Sequence, residues 1–153
     1  MNPMDHPGLF RRIMGLWPPF MGAGIRVDHI SRDWRRVDVS LVLRWYNRNY
    51  VGTHFGGSLF AMTDPFYMLM LLRNLGRDYL VWDQSSRIEF IKPGRSRVRA
   101  CFKLDEDTLA AIVEQTAANT RYLHPFTVEV LDGRGEVVAR VHKTLYIRRK
   151  QGR

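Results

Sequence analysis

The chain has 153 residues, 45% of them hydrophobic, and its 24 basic and 15 acidic side chains give a formal net charge of +9. That length and apolar share suit one domain with a real core rather than two. Its single cysteine, Cys101, cannot form an intrachain disulfide, and no Cys/His cluster has metal-ligand spacing, so neither a disulfide scaffold nor a metal site is expected.

Residues 1–8 carry Asp5 and two prolines where a secretory leader would have positive charge and then an apolar run, so a cytosolic protein is expected. Leu9, Phe10, Ile13, Met14, Leu16 and Trp17 recur at helical spacing, and Pro18-Pro19 is expected to stop that amphipathic helix. Arg11 and Arg12 flank its apolar stripe. A membrane-surface role is conceivable, but docking on the domain's own core is the expected fate.

From residue 25 to 45 the period changes to two, clearest where Val37, Val39, Leu41, Leu43 and Trp45 alternate with Arg36, Asp38, Ser40 and Arg44. Two half-buried strands fit. A central apolar segment, 58–75, has Leu59, Phe60, Met62, Phe66, Met68, Leu69, Met70, Leu71 and Leu72 on nearly every side, so an enclosed helix is expected. Its most apolar window, 58–72, is interrupted by Asp64-Pro65 and is too short to span a bilayer.

Residues 79–92 read as a further strand with a turn at Pro93-Gly94, and Val98, Ala100, Phe102 and Leu104 alternate as the next. Asp105 can cap a helix with Glu106 and Asp107 in its first turn and Leu109, Ile112, Val113 and Thr116 as its buried stripe. The chain closes with a strand over 127–131, a turn at Asp132-Gly133, and a long strand through Val137, Ala139, Val141, Leu145 and Ile147. Together these elements predict an α+β domain: an antiparallel sheet of five to six strands around a long central helix.

The positive excess draws anionic partners such as nucleic acid, acidic lipid or a phosphorylated cofactor. The arginines are scattered over strands, however, and only Arg148, Arg149, Lys150 and Arg153 form a cluster. It reads as a solvated end, so no nucleic-acid partner is expected.

The stretch 49–64, Asn-Tyr-Val-Gly-Thr-His-Phe-Gly-Gly-Ser-Leu-Phe-Ala-Met-Thr-Asp, carries the chemistry. A Gly-Gly pair at the mouth of a helix leaves N–H groups free to face a developing oxyanion. Asp64 is an ionisable group in an apolar element, costly unless paired or used. Each feature has an ordinary reading too: Asp-Pro can start a helix at Pro65, Gly56-Gly57 can be a turn, and Asn49 and His54 can be loop residues with satisfied hydrogen bonds.

Asn49, Gly56-Gly57 and Asp64 resemble in their spacing the signature of the hotdog-fold acyl-CoA thioesterases of the phenylacetate-pathway type. Ile88-x-Phe90-x-x-Pro93 and the closing Lys143-Thr-Leu-Tyr-Ile147 resemble that fold's later strands, so the resemblance spans about residues 20–148. It looks closest to a branch of unknown function. The resemblance implies a hotdog domain over 23–148, with 1–22 as an N-terminal helix and linker and 149–153 as a basic tail.

Carried over residue by residue, it implies hydrolysis of an acyl-CoA thioester. Asp64 is the general base or nucleophile, with a pKa raised by partial burial. Gly56 or Gly57 N–H is the oxyanion donor, and Asn49 orients the water or the acid. The family's His before the glycines falls on Phe55, with His54 one position earlier. A helper group on the next strand falls near Asp83 to Ser85. His54, Phe55, Asp83 and Ser85 are therefore weaker substrate-binding candidates. Trp45, Tyr46, Tyr50 and Phe55 could line an acyl tunnel.

The resemblance further implies a homodimer with the site between subunits, a possible dimer of dimers, no cofactor, and coenzyme A phosphates as partners for basic residues such as Arg87, Lys92, Arg95 or Arg97. A non-catalytic hotdog binding acyl-CoA or another apolar ligand is the alternative. A dehydratase on the same fold would want a His and an acid paired across the site.

Overall fold

The computed structural model describes residues 5–150; of the terminal stretches weighed above, 1–4 and 151–153 lie outside the described residues. Helix α1 spans Pro7–Leu16 and α2 spans Pro18–Ala23. The expected stop at Pro18-Pro19 is instead a junction. Trp17 is extended and serves as N-cap of α2, whose first turn tolerates proline because the N–H it lacks has no partner there. Gly24 ends α2 at φ 79, where a Cβ would also lie 2.7 Å from Asn47 Nδ2, so this turn needs glycine twice over.

Six strands follow the alternation read above: β1 (Ile25–Ile30), β2 (Arg36–Leu41), β3 (Tyr79–Phe90), β4 (Val98–Lys103), β5 (Tyr122–Leu131) and β6 (Val137–Arg149). They form one sheet in the order β1-β2-β4-β5-β6-β3 with every neighbouring pair antiparallel. The inward phase, including Val37, Val39, Val98, Phe102, Val130, Val141 and Leu145, is buried. β2 ends at Leu41, short of the expected Trp45, because Asn47 turns the chain there: its side chain accepts from Arg44 N–H and donates to the carbonyls of Ala23 and Val42. Helix α5 (Glu106–Gln115) is capped as expected, Asp105 Oδ1 accepting from Thr108 N–H at 2.7 Å. Its buried stripe is narrower than expected, since Leu109, Ile112 and Thr116 are buried but Val113 is exposed.

In place of a single central helix over 58–75, α3 (Gly56–Ala61) and α4 (Phe66–Leu75) flank a break at residues 62–65. Pro65 lacks an N–H and its ring would collide with the Ala61 carbonyl, so the helical ladder cannot pass through it. Tighter turns take over. Thr63 N–H and Thr63 Oγ1 both donate to Phe60 O, at 3.0 and 2.8 Å, and Asp64 N–H donates to Ala61 O at 3.2 Å.

α4 lies in the cup of the sheet. Phe66 packs against Phe102 at 5.0 Å, and Tyr67 stacks on Phe126 at 4.1 Å while donating to Thr127 O at 3.3 Å. Burial pushes the Tyr67 hydroxyl up to about 12. On the opposite side Met14 and Phe20 of α1 and α2 close the core, and Phe10 meets Trp34 edge-on at 5.1 Å. The N-terminal helices thus lie along β1, with Phe20 of α2 reaching Phe66 of α4 at 5.9 Å, and the sheet around the central pair makes the arrangement of a hotdog.

Candidate active site

Asp64 sits at the helix break, but not as expected. Its side chain is 61% exposed rather than enclosed, because the space beneath it belongs to Lys143. That lysine rises from the inner face of β6 with a fully buried side chain. Its ammonium donates to the Asp64 carbonyl, lies 3.4 Å from Asp64 Oδ1, and lies 3.0 Å from Asp83 Oδ1 on β3. The Asp83 contact is an ion pair by distance, at an angle outside hydrogen-bond geometry. Burial of Asp83 pushes its carboxyl above the usual range; Lys143 pulls it back and the neighbouring Asp64 charge adds to the rise.

Lys143 was read from the sequence only as the start of a closing strand motif and not as a site residue, although a signal was there. The inward phase of β6 runs Ala139, Val141, Lys143, Leu145, Ile147, and a lysine in that row must find an acid. Asp83, weakly indicated, is that acid. Ser85 lies just past a bulge in β3 and faces outward.

The loop ahead of α3 is held from within. Asn49 Nδ2 donates to Thr53 Oγ1 at 2.8 Å and its Oδ1 accepts from Thr53 N–H at 2.9 Å. His54 is 4% exposed and joins this loop to the next: its Nε2 is 2.7 Å from Ser96 O and its main-chain N–H donates to Gly94 O. Facing a carbonyl, Nε2 carries the proton in the neutral ring, which leaves Nδ1 buried with no partner among the described residues.

Burial lowers the His54 pKa, against a smaller opposing pull from Ser96. A lowered histidine pKa means the unfolded chain binds the extra proton more readily. Its contribution to stability is therefore complete above about 6.5 and is lost as pH falls through the folded-state value. NMR titration of the ring should give a midpoint below 6.5; a midpoint at or above that value would contradict the burial argument.

Gly56 and Gly57 open α3, and neither N–H meets an acceptor among the described residues. Aromatic rings stand over both. A Cβ on Gly56 would lie 2.8 Å from Phe90 Cζ, and one on Gly57 would lie 2.5 Å from Phe55 Cε1. Both rings are more than half exposed and free to swing aside.

Within the chain these residues divide between two clefts. One of about 320 Å³ has Gly57, Phe60, Asp64 and Pro65 on one wall and Trp17 and Phe20 on the other. The second, about 460 Å³, is lined by Asn49, His54, Gly56, Phe90 and Lys92. The structure thus brings Gly57 and Asp64 together and sets Asn49 on the far side of α3. Trp45, Tyr50 and Phe55 are all exposed around that loop. Of the basic residues considered for phosphate, Lys92 is paired with Asp132 and Glu136, Arg97 with Asp28 and Ser40 Oγ, and Arg87 with Glu89. Among the described residues no cluster of His, Cys, Asp and Glu could hold a metal ion, and no helix is long and apolar enough to cross a membrane.

The fold has known counterparts. A protein of unknown function from Pseudomonas aeruginosa, described as a probable thioesterase, superposes with a TM-score of 0.80 at 17% identity over 93% of this chain and 95% of that one. A thioesterase from Haemophilus influenzae gives 0.67 at 11% identity over 95% and 92%. A mutant of the phenylacetic acid degradation protein from Thermus thermophilus gives 0.60 at 22% identity over 84% and 97%. At such identities the likeness shows the fold, that of the thioesterase-like hotdog proteins. No protein with a curated description matches the chain. A family model described as a domain of unknown function (DUF4442) matches residues 7–147, from the first turn of α1 almost to the end of β6, and the chain belongs to that family.

Proposed function

We propose that the protein hydrolyses acyl-CoA thioesters, and the observation that carries this reading is the shared cleft of Asp64 and Gly57. An exposed carboxylate, oriented by Lys143 beneath it, lines the same cleft as Gly57, whose N–H has no acceptor among the described residues. A thioester carbonyl between them has what it needs. Asp64 takes a proton from water as the water oxygen bonds to the carbonyl carbon, and the oxygen that gains charge is held by Gly57 N–H at the positive end of α3. Collapse breaks the C–S bond, and the coenzyme A thiolate takes its proton from Asp64. Lys143 is a positioning residue in this scheme. Asn49 acts by holding the loop that delivers the glycines.

The functional unit in this reading is a homodimer. β3 is a twelve-residue edge strand bearing exposed Trp82 and Phe90, and an unpaired edge of that length is a pairing surface. Joining two β3 edges would set the second copy beside Trp82 and Phe90. Pairing of dimers into a tetramer belongs to the same reading.

Thiol release from a series of acyl-CoA thioesters, measured for wild type beside Asp64→Ala and Asp64→Asn, tests the assignment. Saturable binding without turnover would favour a non-catalytic acyl-CoA module instead. Gly57→Val offers a separate check. Phe55 can swing out to admit the side chain, so the thermal midpoint should move by only a few degrees while kcat/KM drops about 10²-fold, the cost of misplacing the carbonyl by about an ångström. Equal losses of folding and activity would argue that Gly57 is merely structural.

A further inference from the structure

Resting on the thioesterase reading, we propose that the acyl chain of the substrate runs in an apolar trough between α1 and α4, and that the protein acts on long straight-chain thioesters. The cleft that holds Asp64 and Gly57 ends at Trp17 and Pro65. A second cavity of about 530 Å³ begins at the same two residues and continues between Ile13 and Leu16 of α1 and Met68 and Leu69 of α4. Trp17 and Pro65 line both, so the two cavities adjoin at these residues, with the carboxylate on the side of the first.

Among the described residues no charged side chain lines the second cavity. Its volume is several times the ~150 Å³ that accepts a benzene ring, room for a chain of on the order of ten carbons. Leu16 is 72% exposed and Ile13 and Trp17 are more than two-fifths exposed, although Met14 of the same helix is buried. The face that α1 turns to this gap is therefore apolar and unfilled. An alkyl chain leaving the carbonyl at Asp64 would meet it directly. Trp17, extended just ahead of Pro18-Pro19, stands where the chain passes from one cleft to the other.

S-alkyl-CoA thioethers, which bind but cannot be hydrolysed, test this without need of turnover. Titrated from S-butyl to S-dodecyl, wild type should gain about fourfold in affinity per methylene until the trough is full. Leu16→Glu, at a position too exposed to disturb folding, and Met68→Trp, which fills the gap, should each flatten that rise. An unchanged rise in both variants, or no rise in wild type, would overturn the proposal. So would a Leu16→Glu variant that loses binding to phosphatidylglycerol vesicles while keeping the wild-type rise, because the face would then serve a lipid surface.

The two readings fail separately. A chain-length rise with no thiol release from the matching thioesters defeats hydrolysis and leaves the trough standing, whereas turnover indifferent to chain length defeats the trough alone.

Discussion

Asp64→Asn should lower thiol release from acyl-CoA by about 10²- to 10⁴-fold, the range associated with removing a general base, while leaving the protein folded. The two halves of that expectation come from one geometry. The carboxylate is largely exposed, and its only charged partner among the described residues is 3.4 Å away, so its loss should change stability by no more than about 1 kcal/mol. Lys143 keeps its bond to the Asp64 carbonyl and its contact with Asp83 in the variant. A variant that loses turnover and also unfolds would make Asp64 a structural residue; one that retains wild-type turnover would remove it from the chemistry.

Lys143→Met should have the largest effect on stability. A buried ammonium is tolerable here because a carbonyl and two carboxylates surround it, and deleting it leaves Asp83 mostly buried with no cation. Breaking a buried pair in this way costs about 3–5 kcal/mol, and the lower end is expected because Asp83 can take up a proton. The sign follows from that proton. The folded-state pKa of Asp83 is already raised by burial and should rise further without Lys143, so the folded variant holds a proton that the unfolded chain releases. The deficit should therefore be largest at neutral pH and should shrink as pH falls toward the unfolded carboxylate value of about 4. Urea unfolding of both proteins at several pH values checks this. A pH-independent deficit would point to lost packing alone.

Most of the fold was legible in the sequence because period-two alternation marks a half-buried strand. Val37 to Leu41, Val98 to Phe102 and the closing strand from Val137 all lie where that pattern placed them. Two proline sites were misjudged, for the same physical reason. At Pro18 and at Pro65 the ring prevents continuation of a helix but does not prevent a new one starting, so a stop became a junction and the single central helix became two.

Site legibility was uneven. Gly57 and Asp64, close in the sequence, line one cleft although Asp64 lies in the break after α3. The burial of Asp64 could not be read from the run of apolar neighbours, because it depended on Lys143, 79 positions later, occupying the space under the break. His54 and Asn49 proved to be bonded within and between loops, a matter of which carbonyl lies opposite, and that is set only by the folded chain.

The central claim is that Asp64 performs chemistry on a thioester that the rest of the cleft binds. Measuring S-octyl-CoA binding and octanoyl-CoA turnover on the same preparation of Asp64→Asn tests it most directly. The account predicts an affinity within about threefold of wild type together with thiol release reduced at least about 100-fold. Affinity and turnover that fall together in equal measure, or turnover that does not fall, would contradict it.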